Sequence, residues 1–231
     1  MITFLVPTFN EKENILNFIE TINKLELNYE YNILFADDDS DDGTEMELRK
    51  AKKIFGNVDY IIRKEKNRDL TQSIVLAIKK LKYKYTFILD CDLQHDYEKI
   101  GVISNQIIEN NLDIVVGSRF VKEGQNILMK KRRIIESKMA IFLCKLLGIK
   151  NIKDPLSGFF IIRTELLSKN QDKIKTRGFK ILLTIIYILK DNLILKETPI
   201  KFHKRKFGAS KLNLKVRFLF LEQILRLKFN I

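Results

Sequence analysis

The sequence predicts an α/β fold, a doubly wound and mostly parallel central sheet flanked by helices. Two observations carry that expectation. Short apolar runs alternate with amphipathic segments, the pattern of successive βα units. A length of 231 residues, 45% hydrophobic and 31% charged, also suits one sizeable core rather than a disordered chain.

In chain order, "ITFLV" reads as a strand, residues 12–25 as a helix, "YNILFA" as a strand and 44–55 as a helix. "VDYII" follows as strand, 70–82 as helix, "YTFIL" as strand, 98–110 as helix and "DIVVG" as strand. Beyond residue 120 come a basic loop, a long helix around 131–147 and the segment "DPLSGFFII". A helix near 179–190, a strand near 193–202, the stretch "HKRKFGASKL" and a basic amphipathic tail complete the chain. The simplest organisation is one domain over 1–212 with a C-terminal tail over 213–231, because no Pro/Gly/Ser-rich linker and no internal repeat interrupts it.

Cys91 and Cys144 are too few for a disulfide framework and lack zinc spacing, which points to a reducing compartment. The opening "MITFLVPTFNE" lacks the charged, apolar and small-residue succession of a signal peptide, so the expected location is the cytoplasm. No apolar run reaches the length of a bilayer span. The formal charge of +13 points to an anionic partner: nucleic acid, a phosphorylated substrate or an acidic membrane surface.

Ligands on a parallel sheet bind beyond the carboxyl ends of its strands. Here those exits read "VPTFNE", "ADDDSDDGT", "DCDLQHD" and "GSRF". Asp90 and Asp92, two residues apart after a buried strand, can face one hard cation with Cys91 turned to the core and the Gln94 carbonyl added. Mg²⁺ or Mn²⁺ held this way keeps part of its shell for a substrate diphosphate. His95 suits such an ion poorly and reads as a neighbour of the site.

"DDDSDDGT" fails as a calcium loop, since counting from Asp38 puts Arg49 where a bidentate acid is required. Asp42 or Thr44 reads better as a helix N-cap, leaving Asp37 and Asp38 to accept hydrogen bonds from a nucleobase or ribose. The absence of G-x-G-x-x-G and of a P-loop leaves metal and cations to hold phosphates.

In this order, "VPTFNE", "DDDSDDGT", "LDCDLQHD", "GSRF", "DPLSGFF", "GFKILL" and "FGASKL" resemble glycosyltransferase family 2, and within it the synthases that mannosylate dolichyl or polyprenyl phosphate. The resemblance covers roughly residues 1–212. It implies a GT-A fold and a metal-dependent, inverting transfer of a hexose, mannose from GDP-mannose, to a polyprenyl phosphate. By resemblance, Pro7, Phe9, Glu11 and Asp38, with Ala36 beside them, hold the nucleoside, and Asp90, Cys91, Asp92 and Gln94 form the metal–diphosphate segment. Arg119, Arg205 and Lys211 match the cations around the two phosphate groups, and catalysis is expected to depend on Asp92 and Arg119. Arg133 and Ser137, one turn apart on a helix, resemble the pair that receives the lipid phosphate. Three positions depart from the family pattern: "RDLTQS" replaces a glycine-rich loop, Thr184 replaces an acid after "GFKILL", and Phe9 replaces a Tyr.

The tail "LNLKVRFLFLEQILRLKFNI" suits an interfacial helix at the cytoplasmic face of a membrane, a helix packed on the domain, or contact with a separate membrane-anchoring subunit. Rival functions are a family 2 transferase using a UDP-sugar or a surface-glycan acceptor, and an inactive scaffold. A nucleic-acid module is disfavoured, because aromatics do not interleave with the basic runs and acids occupy the expected ligand edge.

Overall fold

The computed structural model describes residues 1–65, 67–122, 124, 131–174, 178–190, 193–203 and 214–229, without the side chains of 131–133 and 214–215. Among them, β1 (Ile2–Thr8), β2 (Tyr31–Asp37), β3 (Val58–Ile62), β4 (Tyr85–Ile88), β5 (Ile114–Ser118), β6 (Phe160–Arg163) and β7 (Leu195–Pro199) form one sheet in the order β3-β2-β1-β4-β6-β5-β7. All pairings are parallel except those of β6, which runs antiparallel between β4 and β5.

The strands are apolar on both faces because both are covered. Phe4, Val6, Phe35 and Phe87 point to one side, against α1 (Lys12–Asn23), α2 (Thr44–Ile54) and α4 (Ile100–Glu109). Leu5, Leu34, Ile88 and Ile162 point to the other, against α3 (Leu70–Ile78), α5 (Lys131–Leu146), α7 (Ile181–Leu189) and α8 (Leu214–Phe229). In α1 the buried residues Ile15, Phe18, Ile19 and Ile22 recur at helical spacing, which is why one face of that segment docks.

Some boundaries differ from the sequence reading. The helix expected to reach 82 ends at Ile78, where Lys80 and Leu81 turn back to bond the carbonyls three residues earlier. "FFII" leads into the antiparallel strand β6, which reads "FIIR" and is followed by a short helix, α6 (Thr164–Lys169), that the sequence did not separate. Gly43, at φ 93°, takes the N-cap position of α2 rather than Asp42 or Thr44; Asp42 Oδ1 instead accepts from the Thr44 amide at 2.9 Å.

The tail helix α8 packs on the sheet domain. Ile224 and Leu227 join the core, and the fully buried Gln223 donates through Nε2 to Lys180 O at 3.0 Å and to Thr184 Oγ1 at 2.9 Å. Thr184 stands where the resemblance led one to expect an acid, and a neutral amide from α8 is its partner.

Candidate active site

The chain runs β1, β2, β3 outward and then returns to place β4 on the other side of β1, so β1 and β4 flank a topological switch point. The residues leaving these strands therefore meet at one edge. Because β6 is antiparallel, its N-terminal lead-in lies at that same edge. The pairings Ile88↔Phe160 and Val116↔Phe160 put "DPLSG" between the exits of β4 and β5. That brings Asp154, Ser157 and Gly158 beside Asp90 and Arg119.

On the β1–β2 side, Pro7 and Ala36 are paired residues inside the strands, and Phe9 and Glu11 follow directly. Asp37 and Asp38 do not stand free, contrary to expectation. Asp37 accepts from Thr8 Oγ1 at 3.1 Å and from Ser40 Oγ at 2.6 Å and N at 2.9 Å. Burial pushes its carboxyl up, with those donors pulling the other way. Asp38, 3% exposed, receives Arg63 Nη1 at 2.6 Å, Ser73 Oγ at 3.0 Å and the Asp69 amide at 2.5 Å. A buried carboxylate needs such partners, and once they are supplied it fixes the β2, β3 and α3 loops relative to one another.

The acids after β4 divide their tasks by exposure. Asp90 is 46% exposed and lies 3.3 Å from His95 Nε2. Gly158 leaves room for this carboxylate, since a Cβ there would come within 3.0 Å of Asp90 Oδ2. Asp92 is buried and its Oδ1 accepts the Gln94 amide at 3.1 Å. Asp96 receives the Lys201 amide at 3.1 Å, and Gln94 Nε2 donates to His203 O at 3.1 Å, so the loop is strapped to the segment after β7. Cys91 is buried in the core. His95 is buried too, stacked on Phe159 at 4.9 Å, with Nδ1 lacking a partner among the described residues.

Arg119, leaving β5, pairs with the fully buried Asp154 through Nε–Oδ2 and Nη2–Oδ1 contacts of 2.8 Å. Burial works against the guanidinium charge, but Asp154 and then Asp90 outweigh it and hold the pKa above its usual value. Asp154 and its neighbours were legible only as the quoted motif "DPLSGFF", without a role.

Arg119 also lines a cavity of about 330 Å³ between α5, α8 and the residues that lead into α7. Ser137, Glu136, Lys180 and Arg217 supply its polar groups, while Met139, Leu143, Leu156, Phe179 and Phe220 make most of the wall apolar. Lys180, from "GFKILL", donates to Leu156 O at 3.1 Å; the sequence reading gave it no part. Arg133 lies in α5 with its side chain outside the described residues, as are Arg205 and Lys211.

Among the described residues no three His, Cys, Asp or Glu gather as a metal cage. A hard cation that shares its shell with a diphosphate needs only one or two carboxylates. Asp90, open to solvent at the sheet edge, and Asp92 beside it fit that smaller donor set.

A two-faced sheet with acids at its switch point and an arginine across from them suits a glycosyltransferase, and the chain belongs to glycosyl transferase family 2, whose family model matches residues 3–170. A dolichol-phosphate mannosyltransferase of Pyrococcus furiosus is 33% identical over 98% of this chain. This chain spans only 63% of that relative's length. A dolichol-phosphate mannosyltransferase of Saccharomyces cerevisiae is 29% identical over 95% of this chain and 84% of its own. Glucosyl-3-phosphoglycerate synthase of Mycobacterium tuberculosis, solved with Mn²⁺, UDP-glucose and glycerol 3-phosphate, superposes with a TM-score of 0.66. That alignment covers 100% of this chain and 79% of the other at 12% identity, and with it the fold is the GT-A fold.

Proposed function

We propose that the protein transfers a hexose, mannose from GDP-mannose, to the phosphate of a polyprenyl lipid with inversion at the anomeric carbon. The observation that carries the reading is the cavity beside the acidic switch point, in which Arg119, Lys180 and the Ser137 hydroxyl stand among Met139, Leu143, Phe179 and Phe220. A phosphate on a hydrocarbon tail needs that mixture of cation and apolar wall. The names of the curated relatives agree with it.

Pro7, Phe9 and Glu11 form the nucleoside end with Ala36 buried beside them, and Asp38 acts on it through the loops it fixes. Asp90 and Asp92 would hold Mg²⁺ or Mn²⁺, which neutralises the departing diphosphate. The acceptor phosphate is already an oxyanion at neutral pH, so no side chain has to remove its proton. What the chain contributes is placement and charge. Arg119, locked by Asp154, offers a fixed positive field to the anions, and the apolar wall keeps water from competing for the sugar.

Both α5 and α8 leave an apolar stripe uncovered, which suits contact with a membrane surface where the lipid acceptor resides. Among the described residues no helix is long and apolar enough to cross a membrane.

The test is incubation with GDP- and UDP-sugars, polyprenyl phosphate and Mg²⁺ or Mn²⁺, scoring lipid-linked sugar. Product from GDP-mannose, abolished by Asp92→Ala and Arg119→Ala, is the expected result. Transfer from UDP-sugars alone, or without lipid phosphate, would replace the reading with a family 2 transferase of another donor or acceptor.

A further inference from the structure

The exits of β1, β2 and β3 are clasped by an exposed cluster that the proposed chemistry leaves without a task. Asn10 and Asp41 exchange two hydrogen bonds, Nδ2 to Oδ1 at 2.7 Å and Asp41 N to Asn10 Oδ1 at 3.1 Å. Arg68 joins them, with Nη2 at 3.3 Å from Asp41 Oδ2 and Cζ at 4.0 Å from the centroid of the Phe9 ring. The residues on either side of Arg68 are anchored from below: Asn67 O accepts from Arg63 Nη1 at 2.9 Å, and the Asp69 amide donates to Asp38 at 2.5 Å. The guanidinium is thus positioned by its backbone, by a ring face and by one carboxylate, yet it is 54% exposed.

We propose that Arg68 reads the base of the nucleotide and selects guanine over uracil. The inference rests on the nucleotide-sugar reading above. Phe9 lies directly after β1, at the nucleoside end of the site, so a cation held on its face is within the base's surroundings. Asp41 engages one N–H of a five-donor fork, and the remaining donors have no partner among the described residues. Guanine carries two acceptors, O6 and N7, along one edge, which a guanidinium meets in bidentate fashion. Uracil alternates an acceptor with a donor on its corresponding edge and cannot accept both bonds.

The experiment is calorimetric titration of the intact protein with GDP, UDP and guanosine, comparing Arg68 with Arg68→Ala and Arg68→Lys. Losing a bidentate base contact should weaken GDP and guanosine about tenfold or more, leave UDP within about twofold, and not be restored by lysine, whose point charge lacks the fork. Arg68 is exposed, so melting temperatures of the variants should match the parent. Equal losses for GDP and UDP with guanosine unchanged would mean a phosphate contact and overturn the assignment, as would full rescue by lysine. A parent protein that prefers UDP overturns the base assignment while leaving a nucleotide-sugar transferase in place; one that binds neither nucleotide overturns both.

Discussion

Arg119 and Asp154 form a bidentate pair at the edge of the sheet, Nε to Oδ2 and Nη2 to Oδ1 both at 2.8 Å, with Asp154 fully buried and the arginine side chain 11% exposed. The pair joins the exit of β5 to the lead-in of β6, and two backbone amides, Lys153 and Asp154, are held in turn by Glu197. Removing Asp154 takes the bidentate carboxylate away from a guanidinium that stays buried. Asp154→Ala should therefore cost about 3–5 kcal/mol in equilibrium denaturation. Arg119→Lys should lose activity far beyond its loss of stability, since lysine keeps a charge but not the fork. Denaturant midpoints and transfer rates measured together separate the two, and an unchanged midpoint for Asp154→Ala would contradict the argument.

Asp38 and Arg63, at 3% and 7% exposure, make the second buried pair. Arg63→Met leaves Asp38 with the Ser73 hydroxyl and the Asp69 amide but no counter-charge. The loss is expected to be about 3–5 kcal/mol, and Asp38→Asn added to it should cost little more, because the stranded charge has gone. Additive losses in a double-mutant cycle would show the two residues to be independent.

The sheet was legible because parallel strands buried on both faces read as near-continuous apolar runs, as Phe4–Val6 within β1 and Ile33–Ala36 within β2 do. The antiparallel β6 was not, since nothing in "FFII" records direction; that follows from where the long excursion through α5 returns. Among candidate site residues, Asp90 and Asp92 were legible from their position after a buried strand, and the structure places both at the sheet edge. The engagement of Asp37 and Asp38 was missed because their partners, Thr8, Ser40, Arg63 and Asp69, are ordinary polar residues whose meeting depends on three loops converging. Asp154 was hidden for the same reason, as its partner lies 35 residues away.

Asp69 caps α3 by accepting the Gln72 amide at 3.2 Å and also takes the Gly178 amide at 3.2 Å, both on Oδ1, while Oδ2 is buried without a partner. Burial raises its pKa above the ordinary 3.8, with those two amides opposing the rise. In the folded state the carboxyl thus keeps its proton more tightly than in the unfolded chain. Its contribution makes stability fall as pH rises from about 3.8 through the raised folded value. Asp69→Asn keeps an acceptor for the two amides and removes the titration, so the variant should be at least as stable at neutral pH and should lose that part of the slope. Denaturation midpoints across this range decide it, and an unaltered slope would contradict the account.

Gln223 ties α8 to α7 from a fully buried position. Gln223→Leu removes the donor to Thr184 and Lys180 O and places an apolar group against them. A cost of about 1–3 kcal/mol follows from leaving a buried acceptor unmade. Limited proteolysis should show α8 cleaved earlier than the sheet core, and an unaltered cleavage order would argue that Ile224 and Leu227 alone hold the helix.

With α8 held this way, its outer face is fixed beside that of α5. Phe218, Leu221, Leu225 and Phe229 lie on one side of α8, and Ile135, Met139, Phe142 and Leu146 on one side of α5, all exposed. The Arg217–Glu136 contact at 2.9 Å joins the two helices. Under the lipid-acceptor reading these stripes enter the membrane surface next to the cavity they border. Each large apolar side chain withdrawn from water is worth about 1.5–3 kcal/mol, so Phe142→Ser with Phe218→Ser should weaken binding to anionic vesicles by about a hundredfold or more. Both rings are largely exposed, so the melting temperature should barely change. Unchanged vesicle binding, or a dimer that the two substitutions dissolve on gel filtration, would assign the stripes to another copy of the chain instead.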